Sequence, residues 1–275
     1  MALPASTPTG RTTSFACQAD QRFSYCLHVP QGWKDAPGAT RVLVAMHDSL
    51  RDNQALRDRF SDHAEATNTL VVAPLFPAAI AVPDDVDNFK YLRFRDIRFD
   101  EILLAMLDEV AARYGVAARV FSLFGFSGGA HFAHRMLYAH PSRLEAVVAA
   151  SPGSVTLPNE DHAWWPGLRD FADVFGHPVD WEAARQVPIH LIVGARDTDP
   201  NGIVRSRESP SWREGADAAG GNRVERLRSL HAQLLQKGVP ATFEALEGVA
   251  HESGPVIEAA IRFLRARRPR PVAAS

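Results

Sequence analysis

Cysteine is scarce: Cys17 and Cys26 are the only two in 275 residues. That is too few for a disulfide framework, and neither has the paired spacing of a zinc site. They lie on two strand-like runs, TTSFAC (12–17) and RFSYCLHV (22–29), joined by the polar turn QADQ. In such a hairpin the cross-strand neighbours are 17–22 and 16–23, so 17 does not face 26 and two free thiols are expected. No apolar run approaches the ~20 residues of a membrane span. The opening MALPASTPTGRTTS lacks a basic segment followed by an apolar core, so it does not read as a secretory signal, and a cytoplasmic protein is the expectation. Charge of neither sign is in excess: 30 Lys and Arg against 32 Asp and Glu leave a formal net charge of −2. Nucleic acid and anionic membrane are therefore not expected as partners. No H-E-x-x-H or comparable ligand cluster occurs, and His251-Glu252 alone is not one, so no metal or other cofactor is expected.

What is present is an alternation of strands and helices. RVLVAM (41–46), TLVVAPLF (69–76), RVFSLF (119–124), EAVVAA (145–150), PIHLIV (188–193) and ATFEAL (241–246) read as buried strands. Helical patterns fall at 54–67, 101–114, 128–140, 222–238 and 254–268; Leu103, Met106, Leu107, Val110 and Tyr114 make one apolar stripe. This order predicts right-handed βαβ crossovers and an α/β fold. Its central sheet would be mainly parallel with helices on both faces, and the opening hairpin would add an antiparallel N-terminal edge. There is no internal repeat and no linker, so residues 1–275 are read as one domain. Two segments interrupt the alternation: an aromatic, cap-like insertion at 152–187 and a polar, glycine-rich loop at 198–222. Long loops after strand C-termini are where open sheets bind ligands. The basic tail RARRPRPVAAS reads as a frayed, solvated end.

The stretch Gly125-Phe126-Ser127-Gly128-Gly129 fits G-x-S-x-G, between a strand and a helical pattern. A strand that turns at once into a helix strains its turn residue and lifts the hydroxyl into the open, and the flanking small residues let neighbouring chains approach. A serine hydroxyl needs a base, and the base an orienting acid. Both follow in the order serine, acid, histidine: GARDTD places Asp197 after the strand 188–193, and EGVAH places His251 after the strand 241–246. Asp197 is chosen over Asp199 because it is nearer its strand, and Pro200 turns the chain away. Three groups at three strand ends can converge above the sheet. The backbone N–H of Gly128 would supply one donor to a developing oxyanion, and the loop Met46-His47-Asp48-Ser49-Leu50-Arg51 the second. His131 and His134, on the helix after Ser127, are expected to pack or hydrogen-bond there, and His47 to shape its own loop.

With these motifs the chain resembles the α/β-hydrolase superfamily, and within it the polyhydroxybutyrate depolymerase-like and feruloyl esterase-like esterases. The likeness runs over most of residues 40–265. It implies the α/β-hydrolase fold, Ser127 as nucleophile, His251 as general base and then acid, Asp197 as its orienter, and Ser49 and Gly128 as oxyanion donors. The implied activity is hydrolysis of a small-molecule carboxylic ester through an acyl-enzyme. An amidase or lactonase would use the same triad, and a non-catalytic binding module would keep the fold without turnover. One departure stands out: this chain has His47-Asp48 where the family usually has His-Gly, and a carboxylate facing the hole would oppose the anion. The expectation is that Asp48 turns back onto Arg51. Trp164 and Trp165 would either wall an acyl or aryl pocket or pack inside an insertion that touches no substrate; both readings stand at this point.

Overall fold

Runs of aliphatic and β-branched residues form strands where the periodicity predicts them. The computed structural model describes residues 8–267 apart from 205 and 210. The first seven residues and the basic tail beyond 267 lie outside the described residues. In chain order the strands are β1 (Gly10–Arg11), β2 (Phe15–Ala16), β3 (Ser24–Val29), β4 (Arg41–Met46) and β5 (Thr69–Leu75), then the small hairpin β6 (Arg93–Phe94) and β7 (Ile97–Arg98). They continue with β8 (Phe121–Phe126), β9 (Leu144–Ala150), β10 (Ile189–Gly194) and β11 (Ala241–Leu246). The helices are α1 (Asn53–Arg59), α2 (Ser61–Thr67), α3 (Phe99–Tyr114), α4 (Gly128–Ala139), α5 (Phe171–Phe175), α6 (Trp181–Ala184), α7 (Arg223–Gln236) and α8 (Ser253–Arg265).

The main sheet runs β1-β3-β5-β4-β8-β9-β10-β11, with β2 also paired to β3. Pairing is parallel from β5 through β11 and antiparallel at β1, β2 and β3. Side chains of alternate strand residues feed two cores. Val42, Val44 and Met46 join a cluster with Leu107 of α3, Met136 of α4 and Leu230 of α7. Leu43 and Ala45 point the other way, to Phe60, Ala64 of α2 and Val256 of α8. Both faces are thus covered, as the uninterrupted apolar strands require.

Three local expectations are corrected. The run 12–17 is not one strand: the Thr12 N–H still donates to the Leu27 carbonyl at 3.0 Å, but the Leu27 N–H turns to the Thr12 hydroxyl at 2.9 Å while the Thr12 carbonyl accepts from Arg57, and the backbone ladder stops there. The hairpin register is Phe15↔Tyr25 and Ala16↔Ser24 rather than 16–23 and 17–22. Cys17 and Cys26 are separate buried thiols in it. The helix at 54–67 is two helices broken at Phe60, whose ring is buried against Phe124 at 5.0 Å. There the Ser61 hydroxyl donates to the Asp58 carbonyl at 2.8 Å, a local bond that competes with the helix. Among the described residues no helix is long and apolar enough to cross a membrane.

Candidate active site

β8 ends at Phe126 and α4 begins at Gly128, so Ser127 alone makes the turn, with φ 50° and ψ −114°. Such a positive φ is strained for a residue with a side chain. It is held by the Ser127 N–H donating to the Ala150 carbonyl at 2.8 Å and by tight packing beneath. A Cβ on Gly125 would lie 2.2 Å from the Gly129 carbonyl oxygen, and one on Gly129 2.4 Å from that of Met46. Only glycine lets β8, α4 and β4 approach this closely.

Asp197 and His251 arrive from the ends of β10 and β11. The two loops are laced together: the Ala195 N–H donates to the Leu246 carbonyl at 2.9 Å and the Arg196 N–H to that of Val249 at 2.8 Å. His251 Nε2 lies 3.1 Å from Ser127 Oγ, and His251 Nδ1 lies 2.7 Å from Asp197 Oδ2. With Nδ1–H donating to the carboxylate, Nε2 is left as an acceptor for the hydroxyl proton. The imidazole stacks on Phe126, with ring centroids 4.7 Å apart. The structure brings together the three side chains that the sequence singled out, and Asp199 is not the partner.

Sequence reasoning missed Arg223. Its guanidinium donates to Asp197 Oδ1 at 3.1 Å, with the carboxylate 1% and the guanidinium 13% exposed. Arg223 opens α7, where a cation opposes the helix dipole, so its place is explained by Asp197 rather than by the helix. The Asn222 side chain caps α7 by accepting the Glu225 N–H at 3.0 Å, which fixes where Arg223 begins. Burial alone would raise the Asp197 pKa. The hydrogen bond and charge of His251, the Arg223 charge and the Ser151 hydroxyl outweigh it and hold the carboxyl below its ordinary range. No short motif marks Arg223; the only signal is that a buried acid between two strand ends needs more than one partner.

The loop after β4 packs directly on the turn: a Cβ on Gly128 would lie 2.9 Å from both the Ser49 nitrogen and its Oγ. His47, 1% exposed, braces that loop. Its Nε2 accepts the Phe76 N–H at 3.0 Å, so Nδ1 carries the proton and donates to the Asp48 carbonyl at 2.7 Å. Burial pushes the His47 pKa down to about 4 and keeps the ring neutral. Because a trans peptide sets N–H opposite C=O, this bond aims the Ser49 N–H away from His47. Asp48 does not turn onto the Arg51 guanidinium as expected. Its Oδ1 accepts the Leu50 N–H at 2.8 Å, a side-chain turn within its own loop. The left-handed residue is Arg51, φ 63°, not Asp48. Arg51 instead donates to the carbonyls of Ser49, Phe76 and Val86.

His131 and His134 act as struts. His131 Nε2 accepts the Gly153 N–H at 2.8 Å, and His134 Nε2 accepts the Thr156 N–H at 3.0 Å, tying the segment after β9 to α4. Trp164 and Trp165, by contrast, do reach a cavity, of about 670 Å³, shared with Tyr91 and Phe94. Among the described residues, none of Ser127, Asp197 and His251 lines it. No three His, Cys, Asp or Glu side chains among the described residues are grouped to hold a metal ion.

Poly(aspartic acid) hydrolase-1 from Sphingomonas sp. KT-1 superposes with a TM-score of 0.74 at 19% identity, over 94% of this chain and 100% of that one. LpqC, a poly(3-hydroxybutyrate) depolymerase from Bordetella parapertussis, gives 0.75 at 22% over 97% and 93%. The chain has the α/β-hydrolase fold. An S-formylglutathione hydrolase from Agrobacterium tumefaciens shares this α/β-hydrolase fold more loosely, with a TM-score of 0.57 at 14% identity over 95% and 96%. By sequence, no protein-family profile matches the chain, and none of the curated proteins does.

Proposed function

We propose that this chain is a serine hydrolase that cleaves a carboxylic ester through an acyl-enzyme. The observation that carries the proposal is the continuous line Asp197–His251–Ser127, with bonds of 2.7 and 3.1 Å, ending on a strained, presented hydroxyl. In this reading Ser127 Oγ attacks the ester carbonyl carbon while His251 Nε2 takes its proton. Asp197 holds the ring and stabilises the imidazolium without itself being protonated. The N–H groups of Ser49 and Gly128 receive the oxyanion. Collapse of the tetrahedral intermediate breaks the carbon–oxygen bond, and His251 returns the proton to the leaving alcohol. Water then attacks the acyl carbon with His251 again as base, releasing the acid and restoring Ser127. The residues of this relay need no cofactor.

The three similar structures are named as a poly(aspartic acid) hydrolase, a poly(3-hydroxybutyrate) depolymerase and an S-formylglutathione hydrolase, which supports hydrolysis as the reaction class. An amide or lactone would pass through the same relay. The non-catalytic alternative would need Asp48 to spoil the oxyanion loop. Its carboxylate is engaged by the Leu50 N–H and the His47 brace is intact, and both favour a working oxyanion loop. The test is a fluorophosphonate probe followed by peptide mass mapping. A covalent adduct on Ser127, slowed about a thousandfold in His251→Ala, supports the reading; no adduct on the native protein refutes it.

A further inference from the structure

The cavity of about 670 Å³ is larger than the space that one water or ion needs and falls in the range of small-molecule sites. Its walls are residues 82–87, Tyr91 and residues 93–95, which follow β5, Trp164 and Trp165, which follow β9, and Ser209, Ser211 and Arg213, which follow β10. All leave C-terminal strand ends, the edge of the sheet that carries Ser127, Asp197 and His251. One guanidinium links the cavity to the loop after β4: Arg51 donates to the Ser49 carbonyl at 2.9 Å and to the Val86 carbonyl at 2.8 Å.

Its floor is aromatic and preformed. Tyr91 and Trp165 stack with centroids 5.3 Å apart at 29°. Behind them lies the fully buried Arg135 of α4, its guanidinium carbon 4.9 Å from the Tyr91 ring centroid and 5.5 Å from that of Trp165. Arg135 also donates to the Lys90 carbonyl and to the Thr156 hydroxyl, and that hydroxyl donates to the Trp165 carbonyl at 2.6 Å. Trp165 Nε1 donates to the Ser211 carbonyl at 2.9 Å, which fixes the opposite wall. Flat ligands are favoured by such a surface because no side chain must be reordered to receive them.

The walls differ in charge. On one side Asp87 is paired with Lys90 at 2.5 Å, and burial together with the Asp87 charge pushes the Asp85 carboxyl above its ordinary range, which lowers the negative charge of that wall, with Asp84 at the exposed rim. On the other side Arg93 donates only to the carbonyls of Arg95 and Val174 among the described residues, and Arg95 lies over the Phe94 ring at 5.7 Å. Neither guanidinium meets a protein carboxylate among the described residues. A guanidinium beside an aromatic floor recognises a planar group that ends in a carboxylate.

We propose that this cavity is the subsite for the part of the substrate remote from the scissile bond, and that this part is an aromatic group bearing a carboxylate held by Arg93 and Arg95. The proposal rests on the ester-hydrolase reading for the words "substrate" and "subsite", but its ligand class does not. The probes are 2-naphthoate and the neutral 2-naphthylmethanol, titrated calorimetrically into full-length Ser127→Ala protein. The same titration is made on a Ser127→Ala protein carrying Arg93→Gln and Arg95→Gln, two exposed changes that leave the floor intact. The acid should bind about fivefold tighter than the alcohol, and the double change should abolish that preference while leaving the alcohol's affinity unaltered. The preference should also shrink as salt is raised. With wild-type protein, 2-naphthoate should competitively inhibit hydrolysis of the mono-p-nitrophenyl ester of 2,6-naphthalenedicarboxylate, an ester that carries an aromatic carboxylate remote from its scissile bond. Absence of binding, equal binding of acid and alcohol, or a preference that survives Arg93→Gln/Arg95→Gln overturns the ligand class. Non-competitive inhibition overturns the subsite. If no ester is hydrolysed at all, the ester-hydrolase reading falls, and the calorimetry still decides what the cavity recognises.

Discussion

Arg223 offers the sharpest test of the electrostatics, because its charge acts on the imidazole through Asp197. The ion pair spans 3.1 Å and its carboxylate is sealed from solvent, while the His251 side chain is 33% exposed. The guanidinium lies roughly 7 Å beyond the imidazole, where a unit charge at an effective dielectric of about 20 is worth about 2 kcal/mol; the solvent-facing side of the ring reduces this to about 1 kcal/mol, or roughly 0.7 of a pH unit. The sign follows from which species is repelled. Arg223 disfavours the imidazolium, so Arg223→Gln makes protonation of the base easier. The acid limb of kcat/KM should therefore move up by about 0.5–1 pH unit. The plateau should fall about tenfold as the carboxylate loses one of its anchors. Arg223→Lys keeps the charge and loses the fork, so its limb should stay within about 0.2 unit of wild type while its plateau drops. Asp197 is held below the ordinary carboxylate range. Its contribution to stability is thus present above that range and lost as pH falls through its folded value, at a higher pH in Arg223→Gln. The assay is a pH–rate profile on a p-nitrophenyl ester. An Arg223→Gln limb that coincides with wild type, or moves down, refutes the reasoning.

Three further outcomes are expected. Gly128→Ala puts a methyl 2.9 Å from the Ser49 nitrogen and displaces the donor loop; kcat/KM should drop about a hundredfold or more with circular dichroism unchanged, and full activity would remove that loop from the site. Asp48→Asn keeps the acceptor for the Leu50 N–H and removes the charge, so turnover should stay within about threefold; a tenfold gain would mean that the carboxylate does oppose the oxyanion. His63 is 3% exposed and burial, ahead of the charges of Arg265 and Arg41, pushes its pKa to about 4. The unfolded chain then binds more protons below about pH 6.5, so stability falls as pH drops from there to about 4, by about 3 kcal/mol from this group. Denaturant melts of His63→Leu should show a flatter slope across that window; a slope equal to wild type would refute it.

Periodicity carried the fold because the central parallel strands are apolar on both faces and the helices keep one stripe, so β4 and β9 fall where the letters put them. It failed where a side chain replaced a backbone bond, as the Thr12 hydroxyl does, or where a buried ring broke a helix, as Phe60 does. The relay was legible because each member sits just past a strand end, a position that the order of elements specifies. Arg223 was not legible: it is 26 residues from Asp197, past a polar loop whose path no local pattern encodes. Asp48 shows the same limit on a smaller scale. Its choice of the Leu50 amide over the Arg51 guanidinium depends on where Arg51 finds three carbonyls, and one of them belongs to Phe76 on the neighbouring loop.

The central claim is that Ser127 is the nucleophile. Hydrolysis of p-nitrophenyl esters from acetate to octanoate, measured side by side for wild type and Ser127→Ala, tests it most directly. The account predicts turnover by wild type with a defined chain-length preference, and loss of that turnover in Ser127→Ala. Equal turnover by both proteins would contradict it.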